Sequence, residues 1–73
     1  MKATLDYNLP DDREDFELAC NGYKYYGVLW EFDQHLRSKI KYDESLSQEV
    51  HDTYQEIREK LREFMNDSDL SFH

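Results

Sequence analysis

Residues 11–40 read DDREDFELACNGYKYYGVLWEFDQHLRSKI. Proline is absent from this stretch, and Leu18, Ala19, Lys24, Leu29, Glu31, Gln34, Leu36 and Arg37 are good or adequate helix formers. Pro10, just before it, suits a first helical turn, and Asp11, Asp12, Glu14 and Asp15 suit the partial positive charge of a helix N-terminus. The stretch therefore predicts one long helix over 11–40, roughly 45 Å at ~1.5 Å per residue. Its weak point is Asn21-Gly22, a pair that usually marks a turn and is able to break or bend a helix.

Placed at ~100° per residue, the apolar side chains of this helix fall on two faces. Phe16, Cys20, Tyr23, Gly27 and Trp30 share one, and Leu18, Tyr25, Leu29, Phe32, Leu36 and Ile40 share the other, roughly 130 to 150° away. One partner helix covers only one of them. The simplest account makes this the central helix of a small core, because apolar stripes usually face the interior. The other coverings to expect are short strands, a second subunit or a foreign protein. On the first face Gly27 marks a place for close helix approach beside Trp30.

Working outward, a second helix is predicted over 46–66, where Leu46, Val50, Tyr54, Ile57, Leu61 and Phe64 or Met65 recur at steps of three and four. It starts either at Ser45, facing Gln48 in a capping box, or at Ser47 as the N-cap itself. Glu56 with Lys60 and Glu59 with Arg62 add exposed pairs along it. At about 31 Å it is shorter than the first helix, so a hairpin of the two leaves part of the long helix without a partner. Ala3, Leu5 and Tyr7 alternate with polar residues as in a short strand over 3–7, and Leu70 and Phe72 suggest another over 69–72 that would pair with it. The expected fold is thus mainly α: an antiparallel helical hairpin with short terminal β-strands, in a single small domain.

A chain of 73 residues buries only about 60% of the surface its unfolded form exposes, so its core is thin. Small scaffolds compensate with disulfides, metals or oligomerisation. Cys20 is the only cysteine, which excludes an intrachain disulfide and fits a reducing compartment. His35, His51 and His73 match none of the compact ligand spacings of structural zinc. Self-association, as a homodimer, is the compensation left to expect. The opening MKATLDYNLP has one lysine and no apolar run of signal-peptide length, and no long apolar run occurs elsewhere, so a cytoplasmic chain without membrane spans is expected. Seventeen acids against nine bases give a net charge of −8, which opposes direct binding to nucleic-acid phosphates. Aromatic residues at 15% argue for a folded chain over a disordered one.

Chemistry finds little to rest on. General acid–base work needs carboxylates in a sheltered pocket, and these acids fall on predicted exposed faces. Cys20 lies on the Phe16–Trp30 face, where a small buried thiol is the ordinary occupant and no base stands beside it. Glu31 and His35, four apart, share a helical face as two metal ligands would, but an ordinary surface pair is the simpler account. Neither a phosphate-cradling glycine loop nor an HExxH or GxSxG motif occurs. The chain is read as no enzyme, with no cofactor or metal.

Two charge clusters remain. Asp11, Asp12, Glu14, Asp15 and Glu17 are offset only by Arg13, and Arg37, Lys39 and Lys41 gather at the far end of the long helix. Helix-dipole chemistry accounts for both. The functional alternative is a carboxylate array that imitates phosphates before a basic groove on another protein.

The run ATLDYNLPDDREDFELACNGYKYYGVLWEFDQHLRSKIKYDESLSQEV, with LPDDREDFELA, LWEFDQHLRSKIKY and LSQEV as its recurring features, resembles a type of small acidic orphan protein encoded by tailed bacteriophages and prophages. No activity is assigned to such proteins, so no residue role carries over. The resemblance implies a context in which small acidic proteins obstruct or redirect host machinery, often as DNA mimics. The expectation is a non-catalytic inhibitor of a host or defence protein, with Asp11, Asp12, Glu14, Asp15, Glu17, Tyr25, Trp30 and Phe32 as its partner-binding residues. A homodimeric scaffold or regulatory subunit, a small-molecule or nucleotide sponge, and a metal-dependent enzyme are the alternatives.

Overall fold

The computed structural model describes residues 1–72, and the spacing argument that used His73 lies outside them. Three helices follow one another: α1 over Arg13–Cys20, α2 over Gly22–Tyr42 and α3 over Gln48–Asp67. The mainly-α class holds, but the single long helix is divided. Asn21 leaves helical geometry with φ −96° and ψ 4°. Its N–H still donates to the Glu17 carbonyl at 3.0 Å, and its carbonyl accepts from Lys24 and Tyr25 at 2.9 and 3.1 Å. Hydrogen bonding thus runs through the joint while one residue turns the axis, at a site where asparagine tolerates the bridge region and Gly22 brings no side chain to obstruct the turn. The first helix also starts later than residue 11. Residues 8–12 instead form a turn, closed by the Asp12 N–H on the Asn8 carbonyl at 2.7 Å and by the Asn8 N–H on the Asp12 carboxylate at 3.0 Å.

Helix α3 is capped by Ser47, whose hydroxyl accepts from the Val50 N–H at 3.3 Å. Ser45 is engaged elsewhere, donating its hydroxyl and its backbone N–H to the Asp43 carboxylate. These two bonds, with Lys39 adding to them, outweigh slight desolvation and hold the Asp43 carboxyl below its usual value. At the other end Asp69 takes the left-handed conformation (φ 57°), and the Leu70 and Asp69 N–H groups cap the Met65 and Asn66 carbonyls at 2.8 and 3.0 Å. This is a Schellman closure with aspartate in the position glycine usually holds.

Helices α2 and α3 pack antiparallel. The Ile40 carbonyl meets His51, Asp33 meets Arg58 and Arg62, and Tyr26 meets Phe72. Among the described residues only Leu36, Met65 and Asp33 are buried, with Leu29, Ile40, Leu46, Tyr54 and Leu61 half-buried around them. α1 contributes no buried residue. The molecule measures 53 × 27 × 19 Å with a radius of gyration of 17.3 Å, against about 11 Å for a compact chain of this length.

The predicted strands over 3–7 and 69–72 are absent, since none occurs among the described residues. The two segments are held at different places. Tyr7 packs edge-on against Phe16 at 5.8 Å between ring centroids, whereas Phe72 packs against Tyr26 at the same separation. Phe16 lies on α1 and Tyr26 on α2, on either side of the Asn21 joint, so the two segments are anchored on different helices rather than side by side at the roughly 4.8 Å that paired strands need. Aromatic docking onto the helices wins over a two-stranded pairing, which is marginal without further strands.

Of the two apolar faces, α3 covers the one carrying Leu29, Leu36 and Ile40. The Phe16–Trp30 face stays open, so the thiol of Cys20 is exposed rather than buried. Gly27 is likewise no point of close approach, for a Cβ built there meets nothing within 4 Å. The correction yields a prediction. Gly27→Ala is expected to stabilise the protein by about 1 kcal/mol through helix propensity alone, read as a higher urea midpoint at fixed protein concentration; a lower midpoint would show that a neighbour does approach Gly27.

Candidate functional site

The one strongly organised polar site was not expected from the sequence. Asp33, on the inner face of α2, is fully buried and receives both guanidinium groups that α3 offers it. Arg58 donates from Nε to Oδ1 at 3.1 Å and from Nη2 to Oδ2 at 3.3 Å. Arg62, one turn on, repeats the same fork at 3.1 and 2.9 Å. Burial pushes the Asp33 carboxyl up, but the hydrogen bonds and positive charges of Arg58 and Arg62 together outweigh it and hold the group below its usual value. Arg62 also stacks its guanidinium 5.0 Å from the Phe72 ring, so the cluster ties α2, α3 and the tail together. Beside it an open groove of about 590 Å³ is lined by Ile40, Lys41, Gln55, Arg58, Glu59 and Arg62.

A sequence clue to this cluster existed. Asp33 stands four after Leu29 and three before Leu36, an acid inside the apolar stripe, and Arg58 and Arg62 stand four apart among Tyr54, Leu61 and Met65. A buried acid facing two arginines at helical spacing is an ion cluster in waiting. The expected Glu59–Arg62 and Glu56–Lys60 pairs give way to it: Arg62 turns inward to Asp33, and Lys60 pairs with Glu63 at 3.1 Å.

The residues expected to bind a partner are dispersed over two regions. Asp11, Glu14, Asp15 and Glu17 are exposed and Asp12 is half-buried, spread over the turn and α1. Arg13 lies 3.8 Å from Glu17, but both are well exposed, so the pair is weak. Tyr25 joins Glu14, Glu17, Leu18 and Asn21 around a shallow depression of about 290 Å³, which brings one aromatic to the acidic end. Trp30 and Phe32 are exposed at 44 and 45% but lie roughly 160° apart around α2, so no single flat partner surface meets both.

Glu31 and His35 are both exposed, and no group of three or more His, Cys, Asp or Glu side chains fit to hold a metal occurs among the described residues. His51 serves the fold: its Nε2–H donates to the Ile40 carbonyl at 3.0 Å, pinning the start of α3 to the end of α2. No helix is long and apolar enough to cross a membrane.

Comparison of the chain with protein-family models, with curated proteins and with solved structures gives no match in any of the three.

Proposed function

We propose that this chain is a non-catalytic protein-binding module that acts by occupying the surface of another protein. The observation that carries the proposal is its accessible area. A compact monomer of this mass exposes about 4,800 Å², whereas this chain exposes 6482 Å². Tyr23, Tyr25, Val28, Trp30, Phe32 and Phe64 are among the side chains left exposed. The depressions in its surface are open and shallow, which favours a protein face over an enclosed small molecule and speaks against the sponge alternative.

The partner we propose is a host or defence protein with a basic groove, in the phage-type context, met by Asp11, Asp12, Glu14, Asp15 and Glu17 in the manner of phosphates and by the adjoining Tyr25. A homodimeric scaffold is the second reading, favoured by the exposure of Val50, Ile57 and Phe64 on α3.

A double charge reversal separates a structural role of the acidic end from a binding one. An acid at a helix N-terminus contributes only about 0.3 to 1 kcal/mol, and Asp12 adds one hydrogen bond from the Asn8 N–H, worth about 1 kcal/mol, so Asp12→Lys with Asp15→Lys should leave a folded, modestly weakened protein. The same variant should bind a partner captured by the wild type at least about tenfold more weakly. Wild-type affinity should also fall steeply with salt, since exposed charges are screened over roughly 8 Å at physiological ionic strength. A partner indifferent to both the reversal and the salt would remove the acidic end from the binding surface.

A further inference from the structure

The chain is strongly acidic, yet the groove beside the Asp33 cluster is lined by Lys41, Arg58 and Arg62 against a single acid, Glu59. With the buried Asp33 behind it counted in, the groove keeps a net positive charge. Its cations are not used up by the fold. Arg58 and Arg62 both spend Nε and Nη2 on Asp33, so Nη1 of each, at the far edge of its guanidinium plane, is left without a hydrogen bond among the described residues. The side chains of Lys41 and Gln55 likewise make no hydrogen bond or ion pair among them.

The arginine donors are also fixed in advance. Asp33, fully buried, grips both guanidinium groups from behind, and the Phe72 ring lies 5.0 Å from that of Arg62. A ligand therefore has little left to order, and ordering is one of the main costs of binding. Arg58 is only 24% exposed, so its attraction to an anion is less screened than that of an open surface cation. The net charge of −8 opposes an anion from a distance. That repulsion is screened over roughly 8 Å, whereas the donors of the groove act in contact.

The geometry points to a phosphate-binding site in this groove, with Nη1 of Arg58 and Nη1 of Arg62 donating to the phosphate oxygens and Lys41 and Gln55 as flanking donors. Phosphate fits better than carboxylate, because its charge of about −1.5 to −2 and its several acceptor oxygens answer cations that come from both helices. Lys41 lies eight residues beyond Asp33, about 12 Å along α2, and Ile40 adds an apolar patch beside it. The groove thus has room for the organic body of a phosphate monoester, and being open it holds the phosphate end of a ligand without enclosing the whole. The site goes beyond the protein-binding role and lies apart from the acidic residues of that reading, which stand on the 8–12 turn and α1.

Nuclear magnetic resonance titration of the full chain at matched ionic strength tests this, with inorganic phosphate, phenyl phosphate and acetate as probes. Saturable shifts are expected at the backbone amides around Lys41, Gln55 and Glu59 and at Nε of Arg58 and Arg62. Phosphate should bind with a Kd of about 1 mM or below, and acetate at least about tenfold more weakly. Glu59→Gln should tighten phosphate binding at least about threefold and Lys41→Gln should weaken it by a similar factor; both side chains are exposed and unpaired among the described residues, so the fold stays intact. Arg62→Gln should abolish binding, and if it loses its helical circular dichroism the Lys41 and Glu59 variants decide. Tighter binding of phenyl phosphate assigns the site to an organic monoester, and equal binding assigns it to the free ion. Shifts that rise without saturating, as the general effect of an excluded salt does, overturn the inference. So do acetate binding as tight as phosphate and indifference to both Lys41→Gln and Glu59→Gln. The Asp12→Lys with Asp15→Lys variant should bind phosphate as the wild type does while losing its foreign partner, so failure of this site and failure of the binding role are told apart.

Discussion

Asp33→Ala is expected to destabilise the protein by about 3 to 5 kcal/mol, the range for removing one partner of a buried ion cluster. A domain of this length holds only about 3 to 5 kcal/mol in its single core, so the variant should be largely unfolded at ordinary temperature. The cause is the pair of guanidinium groups left behind: four N–H donors aimed at the Asp33 carboxylate lose their acceptor together. Arg62 is partly exposed, so water replaces part of its lost acceptor, which places the loss toward the lower end of the range. Urea unfolding followed by circular dichroism at fixed concentration measures it. A midpoint within experimental scatter of the wild type would show the cluster to be incidental.

The same site sets an acid limb. The folded-state pKa of Asp33 is depressed below 3.8, so its stabilisation is fully present above the unfolded value and is lost as pH falls through the folded one. Thermal stability should therefore hold near neutrality and drop below about pH 4. In Asp33→Asn this particular loss should vanish, because the group no longer titrates.

Leu36→Ala carries the second large effect, about 2 to 5 kcal/mol for emptying a fully enclosed leucine site. Leu36 is 2% exposed and sits where α2 and α3 press together. Trp30, on the opposite apolar face, is 44% exposed, and Trp30→Ala should cost no more than about 1 kcal/mol despite deleting a far larger side chain. Parallel denaturation curves of the two variants would show which face is core. A larger loss at Trp30 than at Leu36 would mean that the Phe16–Trp30 face is covered in solution and that the hairpin packing is not the main source of stability.

Much of the helix content followed from patterns within a few residues of each other. The stripe of Leu46, Val50, Tyr54, Ile57 and Leu61, a serine cap at Ser45 or Ser47 and the vulnerable Asn21-Gly22 joint all depend on contacts between near neighbours in the chain, because helical hydrogen bonds close over four residues; the structure chose Ser47. The misjudged features depend on distance. Alternation at Leu70 and Phe72 looked like a strand, but the position of Tyr26 determines where Phe72 comes to rest. Cys20 and Gly27 looked interior because their stripe is apolar, and only the packing of α3 on the other stripe leaves them in the open.

Taken alone, the sequence determined a mainly helical, acidic chain with more apolar helix surface than one hairpin buries, since period, propensity and composition are properties of the chain itself. Folding in three dimensions decided the rest: which stripe of α2 is core, that Tyr7 and Phe72 dock on helices, and that Asp33 finds Arg58 and Arg62 across 25 and 29 residues. Such pairings are set by the relative rotation of two helices, and that rotation is chosen by all their contacts at once. No local pattern encodes it, which is why the best-ordered polar cluster in the molecule appeared only when α2 and α3 were brought together.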